Sequence, residues 1–184
     1  MKTVYLDNAA TTPLLPEVKK AMTDVIEGYF GNPSSIHRLG RESRAIIEES
    51  RRSVAERFES SIGEIFFTGS ATESNNTVLI SAALNNKINH IITSPTEHPC
   101  VLKTAQYLEE NGLVKLTMLQ VDQKGYIDLE HLSQILLKEN QALVSIMYAN
   151  NEIGIVQDVK AIGNLCKEHG AIFHCDAVQA AAHF

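Results

Sequence analysis

The stretch "ALVSIMYANN", residues 142 to 151, is apolar at nearly every position and then changes abruptly to paired asparagines. A continuous apolar run of this kind is typical of a strand that helices cover on both faces, whereas a half-exposed strand alternates apolar and polar residues. The run "AIFHCDA", residues 171 to 177, has the same character and ends at an acidic residue. We therefore predict that both runs are central strands of a parallel sheet.

From residue 60 onward, short apolar runs alternate with longer runs whose apolar residues recur at helical spacing. The predicted strands are 64–69, 90–95, 114–121, 142–149 and 171–177, and the predicted helices are 73–86, 100–112, 129–140 and 158–170. A helix between each strand and the next supplies the crossover that parallel strands need. The pattern predicts the α/β class, with a mostly parallel sheet and helices on both faces.

The first sixty residues follow a different pattern. A helix predicted at 14–28 leads into a loop rich in Gly, Pro and Ser at 28–40, and a charged helix follows at 41–58. We therefore divide the chain into an amino-terminal helical and loop segment, residues 1–59, and an α/β region, residues 60–184.

Composition and charge exclude several classes of protein. The 184 residues carry a net charge of −6 without a basic run, which argues against nucleic acid as a partner because phosphate neutralisation needs clustered Lys and Arg. No stretch resembles a signal peptide or reaches the roughly 18 apolar residues of a membrane span. Cys100, Cys166 and Cys175 lack a CxxC spacing, which predicts free thiols and a soluble, cytoplasmic protein.

Polar and small residues follow four of the five predicted strands, at the carboxyl ends where open parallel sheets bind ligands. They are Ser70, Ala71, Thr72, Thr96, Glu97, His98, Asn150, Asn151, Glu152, Asp176 and Gln179. Each also has a structural interpretation, since hydroxyls cap helices, paired asparagines form turns, and Asp176 could cap a helix beginning at residue 177. No metal site is predicted, because strand alternation sends His174 and Cys175 to opposite faces.

Taken together, these residues suit an anionic cofactor. A helix N-terminus with free amides and the Thr72 hydroxyl suits a phosphate. The Asp176 carboxylate suits a cationic ring nitrogen, and the His98 imidazole can lie on a flat ring or move protons. Pyridoxal phosphate requires such a phosphate anchor and such an acidic partner.

Six motifs carry a more specific resemblance. They are "YLDNAATTP" at 5–13, "GNPSSIHRLGR" at 31–41, "FTGSATESNN" at 67–76, "TEHPCVL" at 96–102, "YANNEIGIVQD" at 148–158 and "FHCDAVQ" at 173–179. In this order they closely resemble the amino-terminal portion of the NifS/IscS-type cysteine desulfurases, in the class V aminotransferase group of fold-type I pyridoxal phosphate enzymes. The likeness extends over essentially the whole chain, and "TEH" with "NNEIG" favours the desulfurase branch.

The resemblance implies a role for each matched residue around pyridoxal phosphate. The amides of Ala71 and Thr72, with the Thr72 hydroxyl, would hold the phosphate. His98 would stack on the pyridine ring and take part in proton transfer. Asp176 would pair with the protonated ring nitrogen, and Gln179 would donate a hydrogen bond to the phenolic oxygen.

The resemblance also implies the reaction and the partners. Asn151 would sit near the phenolic oxygen and the carboxylate of the substrate, L-cysteine. Removal of sulfur would leave L-alanine and a persulfide on an enzyme cysteine, for delivery to a sulfur-acceptor protein in iron–sulfur cluster or thio-cofactor assembly. Fold-type I enzymes usually build their sites at a dimer interface, so a homodimer is expected.

Several functional parts of the family are expected after Phe184: the Schiff-base lysine, the nucleophilic cysteine, the substrate-binding arginine and the small carboxy-terminal domain. Residues 60–184 would then be a partial cofactor-binding large domain, inactive alone. Cys100, two residues after His98, is not expected to replace the nucleophilic cysteine. In the family, later strands pair with the one at 64–69, so we also expect residues 1–184 alone to be unstable, swapped or rearranged.

Two alternatives remain at this point. The first is another class V activity, a selenocysteine lyase or an aminotransferase. The second is a truncated product that acts only as a binding or dimerisation module, for which no lysine-linked cofactor and no alanine release are expected.

Overall fold

The computed structural model describes residues 3–84, 88–139 and 141–181. The chain forms two compact units, Met1–Phe67 and Thr68–Phe184. Residues 85, 86 and 140, at the ends of two predicted helices, lie outside the described ranges.

The first unit contains the two predicted helices. Helix α1 spans Pro16–Gly28, and a proline at its first position is favourable because that amide has no partner within the helix. Helix α2 spans Arg38–Arg57 and begins three residues earlier than predicted, where the ring of His37 accepts a hydrogen bond from the Gly40 amide. No residue of α1 is buried.

The predicted strand at 64–69 is wrong. A 3₁₀ turn spans Ile62–Glu64, and irregular chain follows it up to α3. The Arg51 guanidinium donates a hydrogen bond to the Ile65 carbonyl and lies 5.0 Å from the centre of the Phe67 ring. A strand is defined by its neighbours, and no described residue pairs with this segment, which leaves Phe66 80% exposed.

The second unit is an α/β layer structure, as predicted. Its elements are α3 Ala71–Leu84, β1 His90–Thr93, α4 Pro99–Glu110, β2 Lys115–Met118, α5 Leu129–Leu136, β3 Ala142–Met147, α6 Val159–Glu168 and β4 Ile172–Asp176. The four strands are parallel, in the order β2-β1-β3-β4. The other four predicted strands and all four predicted helices of this region are therefore confirmed, with somewhat different ends.

Strand alternation distributes the core between the two faces of the sheet. Ile91 and Leu143 pack against α3 and α4, where Leu79 lies in the same cluster. Ile92 and Val144 point to the other face and pack against α5 and α6. Helices therefore cover both faces, as the uninterrupted apolar runs indicated.

The position of the last strand differs from the prediction. β3 is central and completely buried, but β4 has β3 as its one neighbour among the described strands. Ile172 of β4 is accordingly 54% exposed. An apolar run shows that helices cover a strand, but it does not count the strands beside it.

None of the described helices combines the length and the apolar content needed to cross a membrane.

Replacing Leu143 tests the packing of the central strand. Leu143 is 1% exposed between β1 and β4, so Leu143→Ala should lower the free energy of unfolding by about 2–5 kcal/mol. Leu137→Ala is the matched control, because Leu137 is 69% exposed, and it should change stability by less than about 0.5 kcal/mol. Urea denaturation measures both, and equal losses would contradict this packing.

Candidate functional site

The carboxyl ends of β1, β3 and β4 meet at one edge of the sheet. Because the strands are parallel and in register, Thr93 lies opposite Ser145, and Met147 lies opposite Asp176. The loops that leave these ends carry Glu97, His98 and the asparagines after β3. The topology therefore assembles polar residues from three separate motifs of the sequence.

Asp176, the last residue of β4, is a buried carboxylate. It is 5% exposed. Its Oδ2 accepts a hydrogen bond of 2.8 Å from the Asn75 side chain, and its Oδ1 accepts one of 3.1 Å from the Val178 amide. Within the described ranges, no Lys or Arg forms an ion pair with it.

Asn75 is a functional candidate that our sequence analysis missed. It lies at the start of the second turn of α3 and is 4% exposed, on the face that also buries Leu79 and Ala83. Its Nδ2 also lies 3.3 Å from the Cys100 sulfur. The spacing of four residues was a usable signal, because a polar side chain in line with two apolar ones on a helix needs a buried partner.

His98 is the N-cap of α4, so its structural interpretation is correct. Its Nδ1 accepts a hydrogen bond of 3.2 Å from the Cys100 amide and lies 2.9 Å from the Cys100 sulfur. Because Nδ1 is the acceptor, the proton of the neutral ring is on Nε2. The contacts run from His98 through Cys100 and Asn75 to Asp176, so the two predicted residues belong to one cluster.

Glu97 is a second buried carboxyl group at this edge. It is 6% exposed, and its Oε1 accepts a hydrogen bond of 2.7 Å from the Met147 amide. Its Oε2 is buried and has no hydrogen-bond partner in the described part of the chain. Burial raises the pKa of Glu97 to about 8; the charge of Asp176 adds to this rise, and the bond from Met147 opposes it.

The asparagines after β3 form the predicted turn beside a cavity. The Asn150 Oδ1 accepts hydrogen bonds from the amides of Glu152 and Ile153, and its Nδ2 donates a bond of 2.7 Å to the Thr96 carbonyl. Asn151 is exposed. A cavity of about 280 Å³ is lined by residues of both loops, including Glu97, His98, Asn150 and Asn151.

At the start of α3, one residue caps the helix and the next two carry the amides of the predicted phosphate site. The Ser70 hydroxyl accepts a hydrogen bond from the Glu73 amide, so Ser70 acts as a cap. The amides of Ala71 and Thr72 donate to no residue that the structure describes. Thr72 is exposed and lines a shallow concavity along α3.

Gln179 lies in a turn at 178–181 after β4 and is half-buried. The structural alternative for Asp176 is partly correct, because its Oδ1 accepts the Val178 amide at the start of this turn. Residue 182, at the end of the helix considered there, lies outside the described ranges. No hydrogen bond connects Gln179 to the other predicted site residues within the described chain.

The three cysteines are free thiols, as predicted. Burial raises the pKa values of Cys166 and Cys175 to about 11, and the charges of Asp176 and Glu97 add to the rise at Cys175. Both thiols are therefore protonated and unreactive at neutral pH. Cys100 is half-buried at the start of α4.

The residues at this edge fit a cofactor that combines an anionic group with a cationic ring. Two helix N-terminal amides and a hydroxyl are available to an anion at the start of α3. Asp176 has hydrogen-bond donors but no counter-cation among the described residues, and a protonated ring nitrogen would supply one. Pyridoxal phosphate has both features.

Comparison with known proteins agrees with this chemistry. The family model described as aminotransferase class V matches residues 4–184. The chain is 46% identical to the cysteine desulfurase IscS of Dictyoglomus turgidum, over 98% of this chain and 46% of that protein. It is 44% identical to a putative cysteine desulfurase IscS 1 of Bacillus subtilis, over 98% of this chain and 48% of that protein.

Solved structures with the same fold include a NifS-like protein, with a TM-score of 0.87 and 38% identity over 94% of this chain and 48% of that one. A structure described as SspA in complex with cysteine has a TM-score of 0.90 and 34% identity, over 97% of this chain and 51% of that one. The chain thus spans about half the length of the curated relatives it matches.

Glu97 should make stability depend on pH. Because its pKa is raised to about 8, the folded protein keeps a proton that the unfolded chain releases above about pH 4.5. The stabilisation of the folded state by this bound proton is complete below that pH and is lost as the pH rises through 8. Over this range the free energy of unfolding falls by up to about 1.4 kcal/mol per pH unit.

Glu97→Gln should remove this slope, because an amide keeps the acceptor for Met147 and does not ionise. Urea denaturation at several pH values between 5 and 9 measures it. Glu152→Gln, an exposed change in the wall of the same cavity, is the control and should keep the slope of the unmodified protein. An identical slope in Glu97→Gln would show that Glu97 is not the titrating group.

Proposed function

Because the chain belongs to the class V aminotransferase family, we propose that this protein is a pyridoxal phosphate-dependent cysteine desulfurase. One observation carries the proposal: Asp176 is a buried carboxylate with two donors and no cation among the described residues, at the strand ends that also present His98. The cysteine desulfurase names of the relatives specify the branch of the family.

The phosphate of the cofactor would be held at the start of α3. The amides of Ala71 and Thr72 are available there, and the exposed Thr72 hydroxyl can donate a further hydrogen bond. Ser70 is already committed to the cap, so it supports the turn rather than the ligand.

The ring of the cofactor would be held by residues that follow β1 and β4. Asp176 would pair with the protonated ring nitrogen, and Gln179 would donate to the phenolic oxygen. His98 would stack on the ring. When bound, pyridoxal phosphate supplies an electron sink for bonds at the amino-acid carbon.

The proton that His98 can move is the one on Nε2, since Nδ1 accepts the Cys100 amide. Asn151 would orient the carboxylate of the substrate, because it lines the cavity that His98 also borders. The substrate would be L-cysteine, and the products would be L-alanine and sulfur carried as a persulfide on an enzyme cysteine.

The complete protein would include more than the residues described above. We assign residues 60–184 to the cofactor-binding large domain and residues 1–59 to an amino-terminal segment. The lysine that attaches the cofactor and the cysteine that carries the sulfur would come from other parts of the complete protein. A homodimer, a sulfur-acceptor protein and a cytoplasmic location are further parts of the proposal.

The decisive experiment measures alanine and sulfide released from L-cysteine by the complete protein with added pyridoxal phosphate and a thiol, which reduces the enzyme persulfide to release its outer sulfur as sulfide. Equal amounts of alanine and reducible sulfur are expected. Keto acid formation would indicate an aminotransferase, and preference for selenocysteine would indicate a selenocysteine lyase. Absence of all products, together with no bound cofactor, would favour a binding or dimerisation module.

Two substitutions test the cofactor roles. Asp176→Ala should nearly abolish alanine release, because the ring nitrogen loses its acidic partner.

Thr72→Val should weaken retention of pyridoxal phosphate roughly tenfold, as expected for one lost hydrogen bond to a charged group. Thr77→Val is the matched control, because Thr77 is also exposed on α3 and lines the same concavity. Equilibrium dialysis measures retention, and equal retention in both threonine variants would contradict the phosphate assignment.

A further inference from the structure

Two carboxyl groups, those of Asp176 and Glu97, are buried at the carboxyl edge of the sheet. Asp176 is 5% exposed and Glu97 is 6% exposed. Glu97 accepts the backbone amide of Met147, the residue paired with Asp176 in the sheet. Burial raises the pKa of Glu97, and the charge of Asp176 adds to this rise. Two like charges in one buried site disfavour each other, so such a pair tends to keep a proton. No described Lys or Arg forms an ion pair with either group.

Hydrogen-bond donors divide unequally between the two groups. Asp176 accepts one donor on each oxygen, Asn75 on Oδ2 and the Val178 amide on Oδ1. Glu97 accepts the Met147 amide on Oε1, and its buried Oε2 has no partner among the described residues. Donors favour the ionised form of a carboxyl group, so the arrangement favours the charge on Asp176.

Asn75 is the one side chain among these donors. Its amide group is fixed by a second contact, because Nδ2 also lies 3.3 Å from the Cys100 sulfur. Since Asn75 is 4% exposed, water does not readily replace its hydrogen bond to Asp176.

On these grounds, and resting on the function proposed above, we propose that Asn75 is a positioning residue: it fixes the negative charge of the carboxyl pair on Asp176 and leaves Glu97 neutral. The ionised group would then pair with the ring nitrogen of the cofactor, and the neutral one lies next to His98 in the chain. This assigns a role in the site to a residue that would act through Asp176, to which its side chain donates a hydrogen bond.

Other titratable groups around the pair do not supply the missing charge. The His174 Nδ1 contacts the Ser145 hydroxyl at 2.9 Å, and burial lowers the pKa of His174, which keeps its ring neutral. Burial raises the pKa of Cys175, so its thiol is also neutral.

The remaining titratable groups belong to the same edge. His98 and Cys100 connect to Asp176 only through Asn75 in the described contacts. Tyr148 donates its backbone amide to the Asp176 carbonyl at 2.9 Å. Asn75 is therefore the side chain through which α3 and α4 act on this charge.

The test follows the charge directly, in the cofactor-free complete protein. Carboxyl carbons are labelled with ¹³C in Asp and Glu, and their resonances, assigned with Asp176→Asn and Glu97→Gln, are titrated by NMR. In Asn75→Leu the Asp176 resonance should shift at neutral pH, because Oδ2 loses its side-chain donor. The titration midpoint of Glu97 should fall by about one pH unit, because an Asp176 carboxyl group with one donor fewer holds the charge of the pair less strongly.

Asn76→Leu is the matched control. Asn76 is the next residue of the same helix, and it accepts a hydrogen bond from Thr104 rather than binding Asp176. Its substitution should leave the Asp176 resonance and the Glu97 titration unchanged. Should leucine at position 75 prevent folding, Asn75→Ala removes the same amide with less steric change.

A second background separates charge positioning from packing. With Asp176→Asn present, there is no Asp176 charge to hold, so adding Asn75→Leu should not move the Glu97 midpoint further. An equal shift in both backgrounds, or no change in Asn75→Leu, would overturn the inference. The NMR measurement requires no cofactor. If the expected shifts occur but the protein fails to bind pyridoxal phosphate, the proposed function is rejected and the role of Asn75 in holding the charge on Asp176 is retained.

Discussion

Parallel pairing of β3 with β1 on one side and β4 on the other is the constraint on which the rest of the second unit depends. It sets Met147 opposite Asp176 and Thr93 opposite Ser145, and it brings the loops that follow these strands to the same edge. The Glu97 side chain can then bond the end of β3, although the two segments are distant in sequence. The position of the site therefore depends on the strand order and register more than on any single residue.

Burial of Asp176 without a counter-cation in the described part of the chain is the strongest link between this fold and a function. A buried carboxylate is unfavourable unless donors or a cation compensate for lost hydration. Asn75 and Val178 compensate in part through two hydrogen bonds, and the start of α3 adds amides that are still available to an anion. A cofactor with a cationic ring and an anionic tail would complement both features, which is why the chemistry of the residues and the family agree.

The sequence predicted those features that depend on local pattern. Apolar runs and helical spacing located four strands, because burial by helices acts on each strand separately. The strand predicted at 64–69 is absent because a strand forms only beside neighbouring strands, which local pattern does not reveal. The prediction that β4 is a central strand was wrong for the same reason. Asn75 and the charge competition at Glu97 were missed because their partners, Asp176 and Met147, are adjacent only after folding. Motif order, by contrast, identified the family over the whole chain.

Structural and functional interpretations of a residue are not exclusive at this edge, and His98 shows why. As the N-cap of α4 it uses Nδ1 to accept the Cys100 amide. That bond fixes the tautomer, so the proton of the neutral ring stays on Nε2, while His98 lines the cavity. Asp176 likewise caps the turn at Val178 with one oxygen and accepts Asn75 with the other. The capping bonds therefore orient the groups that the proposed chemistry needs, and replacing His98 would remove both the cap of α4 and the proton on Nε2.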